Sequence, residues 1–515
     1  MRRAVRNIVR LIRIARILAR YDALFLLDFL ELGPVPARLA RLVLGRRRPG
    51  RRPLRRGQRI AAALQELGPS FIKFGQSWST RADLIGERMA GDLGELRDRL
   101  PPFSVEAARA TIESEFDRPV DELFPHFEPV PVAAASIAQV HFAVTAEGRE
   151  VAVKVLRPGI EAAFRRDLDL FQWLAELVER TQPQARRLKP VEIVRNFAAI
   201  VDLEMDLRSE AAAASELARN FEGDPRFRVP EVDWARTSRR VLTLERMAGT
   251  SLNDRAALDE AGIDATTVTE NLLRTFLTQV FHDGFFHADL HPGNLFADAD
   301  ANLLAVDFGI MGRLDLQTRI FVADLLLAFL KRDYERAAEV HFEAGYVPRG
   351  QSLNAFTQAL RAIGEPILGR PAQEISIGRL LAQLLQTTTK FEMETQPQLL
   401  LLQKTMVVAE GVSRSLDPEV MFWDIAQPVI EDWIGKNMGP DARLRDAAFA
   451  GARLVRRLPA LAERAEAVLG EIASDGLKLH PDTARLLQGN GRRRWPPERT
   501  LLWAAIAILA LAILF

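Results

Sequence analysis

The positions of apolar residues predict a mostly helical chain with a short strand-rich region in its first third. A helix is predicted from Arg2 to about Leu32. As far as Arg20, arginines recur every three or four residues with apolar residues between them, the pattern of a helix with one cationic and one apolar side. Between residues 131 and 157, small and β-branched residues pass through a Glu147-Gly148 turn, which predicts a β-hairpin. After residue 316 the apolar spacing is helical almost throughout.

The same spacing gives approximate bounds for the longer helices. They are predicted at residues 160–179, 190–220, 253–260, 266–283, 316–331, 334–344, 353–365, 374–389 and 394–414, with a further amphipathic region at 441–475. A strand and hinge are predicted at 240–249, and another strand-like run lies between Asn294 and Asp307. The expected fold class is α+β, mostly helical.

The two ends of the chain are predicted to interact with a membrane, and each prediction has an alternative. The N-terminal cationic helix would lie on an anionic lipid surface, or it would pack on the protein's own body. Residues 501–515 carry no charge and would span about 24 Å as a helix, which favours a transmembrane tail. Basic residues before this tail favour a main body on the cytoplasmic side. The alternative is a terminal helix tucked into a soluble fold or a dimer interface.

Composition excludes some functions without choosing one. The 515 residues are 48% hydrophobic, which is enough to form buried cores. Their net charge is +1, so the chain as a whole has no charge that would attract a nucleic acid. Positive charge is concentrated in residues 1–60, where the acidic residues are Asp22, Asp28 and Glu31. The sequence has no cysteine, which excludes disulfides, thiolate metal sites and cysteine nucleophiles.

The densest chemistry lies between Gly284 and Gly309, which read GFFHADLHPGNLFADADANLLAVDFG. Asp289 can orient or deprotonate an attacking oxygen, and Asn294 and Asp307 offer the hard oxygen ligands that Mg²⁺ prefers. The stretch contains a His-x-Asp motif, an asparagine five residues after that aspartate, and an Asp-Phe-Gly motif. Their spacing predicts a site that holds a nucleoside triphosphate and Mg²⁺ beside an acceptor. The alternative is a set of ordinary turns. It explains the spacing less well, because the residue types and the spacing of all three motifs match those of a kinase.

A second group of residues is predicted to hold the phosphates. Lys154 ends a Val-Ala-Val-Lys strand, where kinases carry the lysine that pairs the α- and β-phosphates. Where a glycine-rich loop is expected, the chain has alanines and a serine, which lack the backbone freedom of glycine. These residues are Ala133, Ala134, Ala135 and Ser136. One of the acids Glu204, Asp206 and Glu210 should pair with Lys154, unless the three form a solvated acidic face.

Two further stretches complete the predicted site. The backbone from Glu245 to Met247 follows a predicted strand, where a hinge would offer its amides to adenine. Lys73-Phe-Gly-Gln76 places a lysine, a glycine and a glutamine among apolar residues, which costs free energy unless they face something polar. Taken alone, this stretch is better explained as a surface lysine beside a helix break.

Together these residues resemble the UbiB family of atypical kinase-like proteins, which supports ubiquinone biosynthesis. The resemblance covers about residues 65–417. Its motifs are Lys73-Phe-Gly-Gln76, Ala133-Ala-Ala-Ser136, Val151-Ala-Val-Lys154, Glu204-Met-Asp206, Glu210-Ala211, Gly284–Asn294 and Asp307-Phe-Gly309. The Lys-x-Gly-Gln element is specific, because ordinary kinases lack it. The Ala-Pro-Glu anchor of ordinary kinases is absent after Gly309.

The resemblance implies a protein-kinase-like two-lobe fold with an added N-terminal helical subdomain across the active site. Lys73 and Gln76 would approach Glu204 and Asp206, where a peptide substrate would otherwise enter. The catalytic set implied is Lys73, Gln76, Lys154, Glu204, Asp206 and Asp289. The resemblance also implies ATP and Mg²⁺ as cofactors, weak ATPase activity stimulated by membranes and quinone-precursor lipids, and little transfer to proteins.

Some family members are labelled 2-polyprenylphenol hydroxylases, and the sequence does not support that chemistry. It has no dinucleotide fingerprint after a first strand. His287 and His291 are the remaining candidates for metal ligands, and their HxDLHPGN context makes structural roles the better interpretation.

The predicted layout has six parts. They are a basic amphipathic region at 1–60, a helical extension at 61–125, a kinase-like N-lobe at 126–250, a C-lobe with a helical extension at 251–480, a linker at 481–499 and a transmembrane tail at 500–515. The leading hypothesis is a membrane-associated ATPase on the cytoplasmic side of a bacterial-type inner membrane. Its expected partners are membrane lipids, polyprenyl quinone precursors and ubiquinone-biosynthesis enzymes, and no nucleic acid. A small-molecule phosphotransferase, a nucleotide-gated scaffold or lipid chaperone, and a homodimer stay open.

Overall fold

The computed structural model describes residues 2–23, 55–79, 85–94, 96, 100–181, 189–348, 350–368, 383–384, 391–393 and 396–438. The chain divides into a large unit that contains Met1–Ile430 and a small unit, Glu431–Ile508, of which residues 431–438 are described. The residues predicted to form the site all belong to the large unit.

Helices make up the N-terminal part of the described chain. They are α1 (Arg2–Arg20), α2 (Arg56–Leu67), α3 (Pro69–Ser79), α4 (Glu87–Gly94), α5 (Val105–Phe116) and α6 (Val120–Leu123). Ser104 begins α5 by accepting a hydrogen bond from the Ala107 amide, which satisfies one of the free donors of the first turn. The predicted domain boundary at residue 60 falls inside α2.

The strands form one larger antiparallel sheet, a smaller mixed sheet and a two-stranded pair. They are β1 (His126–Phe127), β2 (Ala133–Ala134), β3 (Ala138–Val144), β4 (Glu150–Leu156), β5 (Phe227–Arg228), β6 (Val241–Glu245), β7 (Thr250–Ser251), β8 (Phe285–His287), β9 (Leu295–Ala297), β10 (Leu303–Ala305) and β11 (Met311–Arg313). The first sheet has the order β1-β3-β4-β6, with β2 also paired to β3. The second has the order β5-β10-β9-β7, and β8 pairs with β11.

The predicted hairpin is confirmed as β3 and β4, with Gly148 in its turn. Side chains alternate across β4, so Val151, Val153 and Val155 are buried on one face. They pack in a core that includes Ile112 of α5. Lys154 therefore projects from the opposite face of the sheet.

Three helices follow the hairpin, where two were predicted. They are α7 (Ile160–Thr181), α8 (Pro190–Glu204) and α9 (Leu207–Asn220). The prediction of one helix over 190–220 is wrong, because the chain breaks at Met205 and Asp206. The Asp206 side chain accepts a hydrogen bond from the Arg208 amide and so begins α9 as a new helix.

The cationic helix α1 lies against the protein's own body. Ile17 and Ala19 on its apolar side are buried. Arg20 pairs with Glu66 of α2, and Arg10 pairs with Asp167, a buried carboxylate on α7. Of the two alternatives for this helix, packing on the body is the one seen in the structure. Residues 24–32 of the predicted helix lie outside the described residues.

The C-terminal half of the described chain is mostly helical, as predicted. Its helices are α10 (Arg255–Glu260), α11 (Ala265–Leu277), α12 (Leu316–Leu330), α13 (Tyr334–Glu343), α14 (Leu353–Leu368), α15 (Pro397–Leu416) and α16 (Phe422–Met438). A π-helical turn, Thr278–Asp283, extends α11 towards β8. Phe329, Tyr334, Phe356 and Leu360 form the core where α12, α13 and α14 meet.

Several predictions for the C-terminal part concern residues outside the described ranges. These are the helix at 374–389 apart from residues 383–384, the amphipathic region at 441–475, the linker at 481–499 and the membrane tail at 500–515. In the described part of the chain, no helix is both long enough and apolar enough to cross a membrane.

Candidate active site

Lys154 lies at the centre of a cluster of charged groups. Strand β4 holds it between Val140 of β3 and Leu242 of β6. Its Nζ is 2.7 and 2.9 Å from the two carboxylate oxygens of Glu210 and 3.0 Å from Oδ1 of Asp307. Of the three acids considered as partners for Lys154, the structure places Glu210 beside it.

These three groups alter one another's affinity for protons. Burial would lower the pKa of Lys154, but the carboxylates of Asp307 and Glu210 outweigh burial and raise it. Lys154 holds the pKa of Asp307 well below its usual range, and the more distant ammonium of Lys73 adds to that effect. Burial raises the pKa of Glu210 against the pull of Lys154. Lys154 and Asp307 therefore both stay charged near neutral pH.

A strained backbone aims Asp307 at this cluster. Its φ is 65°, in the left-handed region that residues other than glycine rarely adopt. On the following residue, the Phe308 ring is buried and lies 5.6 Å from the His287 ring, centroid to centroid. Buried packing on the next side chain is the kind of support that lets such a conformation persist.

The loop between β8 and β9 brings Asp289 and Asn294 together. Nδ2 of Asn294 donates to Oδ2 of Asp289 at 3.1 Å and to the Asp289 backbone carbonyl at 3.2 Å. The Val306 amide donates to the Asn294 carbonyl at 2.9 Å, which ties this loop to the residue before Asp307. The side-chain nitrogen of Asn294 donates to Asp289, so Oδ1 of Asn294 is the side-chain atom that can bind a cation.

The two histidines of the motif hold the loop in shape. The fully buried His287 ring accepts the Asp289 amide at Nδ1, 3.2 Å away, so its Nε2 carries the proton and faces the Val306 carbonyl at 3.4 Å. Burial lowers the pKa of His287. Nδ1 of His291 accepts the Gly293 amide at 3.1 Å. Among the described residues, no group of three or more His, Cys, Asp or Glu side chains is arranged to hold a metal ion.

Lys73 reaches the site from α3. Its Nζ lies 3.1 Å from Oε2 of Glu204, and each of these side chains is only 13% exposed. The Asp206 carboxylate has another partner, since it pairs with the Arg208 guanidinium at 2.6 and 2.9 Å. Gln76 is half-buried, and its backbone carbonyl accepts the Ser79 hydroxyl at 2.7 Å. The structure thus brings Lys73 and Glu204 together, while Asp206 serves as a helix cap.

Aromatic packing fixes the helix that carries Lys73. The Phe74 ring lies 4.9 Å from Phe171 of α7 and 5.2 Å from Phe197 of α8, centroid to centroid. On another side of α3, a Cβ added to Gly75 would lie 2.5 Å from Leu96 and 2.7 Å from Leu64. The glycine of the Lys-x-Gly-Gln motif therefore lets α3 pack closely on its neighbours while the lysine faces the charged cluster.

The segment Ala133–Ser136 forms β2 and the tight turn into β3. Arg157, just after β4, closes this turn by donating to the carbonyls of Ser136 and Ala135, each 3.3 Å away. The same guanidinium donates to the Pro101 carbonyl at 3.0 Å, so it also ties the turn to the helical extension. Sequence reasoning missed Arg157, because nothing in its spacing from Lys154 marks it as a turn-closing residue.

Strand β6 runs into the predicted hinge at Glu245. The Glu245 amide donates to the Glu231 carbonyl at 2.8 Å, and its carboxylate pairs with Arg228. This amide is therefore already occupied. Met247 follows two residues later and is half-buried.

Two side chains that the sequence did not single out contact the Asp289 loop. Oε1 of Gln279, in the π-helical turn, accepts the His287 amide at 2.9 Å. The buried Thr405 of α15 places its hydroxyl 3.2 Å from the Ala288 carbonyl and 2.8 Å from the Leu401 carbonyl. Thr405 is 117 residues from Ala288, and no local pattern in the sequence predicts their contact.

Comparisons with known proteins match most of the chain. Residues 95–341 match the ABC1 atypical kinase-like domain, and residues 360–421 match the UbiB helical domain. A Marinobacter nauticus protein named "Probable protein kinase UbiB" is 42% identical over 495 residues, which cover 94% of this chain and 90% of that protein. An Azotobacter vinelandii protein of the same name is 43% identical over 470 residues, which cover 90% and 87%.

One solved structure is a more distant match. It is a Mycobacterium tuberculosis protein in complex with erythromycin, 24% identical, with a TM-score of 0.43. The match covers 69% of this chain and 94% of that one.

Proposed function

Because the chain belongs to the UbiB family of ABC1 atypical kinase-like proteins, we propose that it binds ATP with Mg²⁺ and hydrolyses ATP in support of ubiquinone biosynthesis. The observation that carries the proposal is the cluster of Lys154, Glu210 and Asp307 within hydrogen-bond distance. The loop that joins Asp289 to Asn294 is tied to the same cluster through the backbone next to Asp307.

The donor atoms suit a magnesium nucleotide. Asp307 is anionic and its side chain is 51% exposed, and Asn294 keeps an amide oxygen, so both are hard oxygen ligands for Mg²⁺. When bound, the metal would neutralise charge that develops on the phosphates. Lys154, steadied by Glu210, would bind the phosphates from the other side. The turn Ala133–Ser136 would lie along the phosphates.

The backbone amide that would donate to adenine is assigned to Met247 in preference to Glu245. The Glu245 amide already donates to the Glu231 carbonyl, which removes it from a hinge contact. Met247 is the next residue of the predicted pair along the hinge, and its backbone would bond to the base.

Asp289 would act on the attacking oxygen. Its carboxylate is fixed by the Asn294 amide, and the His287 ring fixes its backbone. Held in this way, Asp289 would orient water or another acceptor and take up its proton. Catalysis of this kind depends on positioning and charge neutralisation, which rigid hydrogen bonds provide.

Water or a small acceptor is a better reactant here than a peptide. Lys73 of α3 pairs with Glu204 and lies close enough to Asp307 to help lower its pKa, so a peptide would have to share the site with this helix. Gln76 lies on the same helix and would support its placement. Asp206 would act as a positioning residue, because it begins the helix that carries Glu210.

The lipid part of the proposal draws on the charge of α1 and on family membership. Arg13 and Arg16 are exposed on α1 and would attract the headgroups of an anionic bilayer. We therefore place the protein at a bacterial-type inner membrane with its main body on the cytoplasmic side. Membrane lipids, polyprenyl quinone precursors and ubiquinone-biosynthesis enzymes are its proposed partners.

The substitution Asp307→Asn tests the assignment. It keeps the shape of the side chain and removes the charge that pairs with Lys154 and would hold Mg²⁺, so the rate of ATP hydrolysis should fall at least about 100-fold. The rate is measured by phosphate release with anionic liposomes and a phenolic quinone precursor present.

The matched control is Asp300→Asn, an exposed aspartate in the turn between β9 and β10, which should hydrolyse ATP at the normal rate. Normal hydrolysis by Asp307→Asn would contradict the assignment. The biosynthetic role is tested separately, by measuring ubiquinone in a deletion strain that carries either the unchanged gene or the Asp307→Asn gene.

A further inference from the structure

Arg157 holds three successive carbonyl groups at the base of the turn into β3. Its guanidinium donates to the carbonyls of Ala135 and Ser136, each 3.3 Å away, and its backbone amide donates to the Ile137 carbonyl at 2.7 Å. Ser136 and Ile137 are buried, whereas Ala133 at the tip of the turn is exposed. Arg157 therefore fixes the buried base of a turn whose tip is accessible.

The same guanidinium holds the segment Pro101-Pro102-Phe103, which lies between α4 and α5 in sequence. It donates to the Pro101 carbonyl at 3.0 Å and lies over the Phe103 ring, 5.3 Å from the ring centroid. The buried Gln139 of β3 holds this segment a second time. Its Oε1 accepts the Phe103 amide at 2.9 Å, and its Nε2 donates to the Phe103 carbonyl at 3.3 Å.

The shape of the guanidinium suits this double attachment. Its planar fork donates in several fixed directions at once, whereas a lysine would bring the same charge on one compact ammonium. Among the described residues, no carboxylate lies within ion-pair distance of Arg157, so its donors go to the backbone carbonyls of two separate segments. Movement of either segment would change the hydrogen bonds that hold the other.

We propose that Arg157 is a positioning residue that couples the place of the 101–103 segment to the affinity of the turn Ala133–Ser136 for the phosphates of ATP. A turn that is already held in its binding shape loses less conformational freedom when the phosphates bind. By linkage, bound phosphates would hold the 101–103 segment in place by the same factor. The phosphate contact rests on the proposed function, whereas the attachment of the segment to the turn does not.

ATP and adenosine separate the phosphates from the base and the sugar. Each is titrated with Mg²⁺ into the full-length chain and followed by ligand-observed NMR. Arg157→Gln should bind ATP about five to ten times more weakly than the unchanged protein does, because the turn is no longer held in shape. It should bind adenosine equally well, since the turn contacts the phosphates alone. A general loss of structure would instead weaken both ligands together.

Arg157→Lys separates the shape of the guanidinium from its charge. It keeps the positive charge and loses the planar fork, so ATP binding should fall as it does in Arg157→Gln. Arg118→Gln, at an exposed arginine between α5 and α6, is the matched control and should change the binding of neither ligand. Normal ATP binding by Arg157→Gln, an equal loss of adenosine binding, or restored ATP binding in Arg157→Lys would overturn the proposal.

The attachment of the 101–103 segment is tested by chymotrypsin cleavage after Phe103, mapped by mass spectrometry. Without nucleotide, Arg157→Gln should be cleaved there at least about fivefold faster than the unchanged protein and Arg118→Gln. ATP should slow this cleavage in the unchanged protein by about five- to tenfold, and adenosine should not. In Arg157→Gln, ATP should give no such protection, because the connection between the turn and the segment is lost.

These measurements separate a failure of the coupling from a failure of the proposed function. An unchanged protein that binds no ATP would refute the proposed function, and the cleavage rates without nucleotide would still decide the attachment. Equal cleavage of Arg157→Gln and the unchanged protein would refute the attachment. ATP that binds the unchanged protein without slowing cleavage after Phe103 would refute the coupling and leave the proposed function standing.

Discussion

Three buried histidines, His141, His287 and His341, are kept neutral by their surroundings. Burial lowers the pKa of each ring. Nearby carbonyl groups, and for His287 chiefly the carboxylates of Asp289 and Asp307, only partly offset this effect. In each case one ring nitrogen faces a backbone carbonyl, which fixes the tautomer. The unfolded chain therefore binds protons more readily than the folded protein in mildly acidic solution.

This difference predicts a loss of stability on acidification. A histidine whose folded pKa lies below its unfolded value, about 6.5, contributes stability that is complete above pH 6.5 and is lost as the pH falls. Removing one such group should reduce the loss. His341→Phe should lose less free energy of unfolding than the unchanged protein between pH 7.5 and 5.5, by up to about 1 kcal/mol.

Urea unfolding at the two pH values measures this effect. His126→Phe, on an exposed strand residue, is the control and should follow the unchanged protein. An identical pH dependence in His341→Phe would show that this ring does not contribute.

Single residues also show which parts of the site could be predicted from the sequence and which could not. Asp289, Asn294 and Asp307 were predicted because their mutual spacing lies within one short stretch of chain. Glu210 was one of three candidates for Lys154, since spacing alone cannot decide which acid faces a strand far away. Arg157 carries no local signature, because its role depends on the three-dimensional closeness of the turn it closes.

At the scale of elements, the break between α8 and α9 assigns the acidic residues to different roles. Glu204 ends α8 beside Lys73, Asp206 caps α9, and Glu210 faces Lys154 from the first turn of α9. The helical pattern of apolar residues continues across the break, so periodicity predicted a single helix. Asp206 was the available signal, since aspartate is favoured at helix starts.

The pairing of β8 with β11 supplies another prediction. Gly312 lies opposite Phe286, and a Cβ at this position would overlap the buried Phe286 ring. We expect Gly312→Ala to lower the free energy of unfolding by about 1–3 kcal/mol, because the added methyl group overlaps a fully buried ring on the paired strand. Hydrolysis of ATP should also fall, since β8 leads directly into His287 and Asp289.

Denaturant unfolding checks the first effect and phosphate release the second. Gly411→Ala in α15 serves as the control, because nothing lies within 4 Å of its added Cβ. Alanine favours a helix over glycine, so this control should be unchanged or more stable by up to about 1 kcal/mol. Equal stability of the two variants would contradict the predicted overlap.

At the scale of the molecule, helices that precede the kinase-like core in sequence and helices that follow it both contact the core. From the N-terminal side, α3 contributes Lys73, and from the C-terminal side α15 contributes Thr405. The predicted class, mostly helical and kinase-like, is confirmed by the matching domains. The Lys73 contact followed from the family resemblance, because spacing along the chain cannot show that two distant helices meet. The contact of Thr405 with Ala288 was predicted neither by spacing along the chain nor by the family resemblance.

The attachment of α1 gives a prediction for the whole chain. Arg10 pairs with Asp167, whose side chain is 4% exposed and whose pKa is raised by burial. Arg10→Gln would leave this buried carboxylate without its arginine and should lower the free energy of unfolding by about 1–2 kcal/mol. The helix should also detach more often, which limited proteolysis within residues 2–23 would detect. Arg13→Gln, on the exposed side of α1, should leave the cleavage rate unchanged. Equal cleavage of the two variants would mean that the pair does not anchor α1.

The sharing of Lys154 between two carboxylates has a thermodynamic consequence for the proposed function. The ammonium has three N–H donors, and Asp307 and Glu210 already accept from it. A phosphate at Lys154 would therefore compete with Asp307, whereas a cation on Asp307 would neutralise that competitor. Metal and nucleotide would then bind with positive heterotropic linkage, each raising the affinity of the other by the same factor. This reciprocity would hold whether the phosphoryl group is transferred to water or to another acceptor.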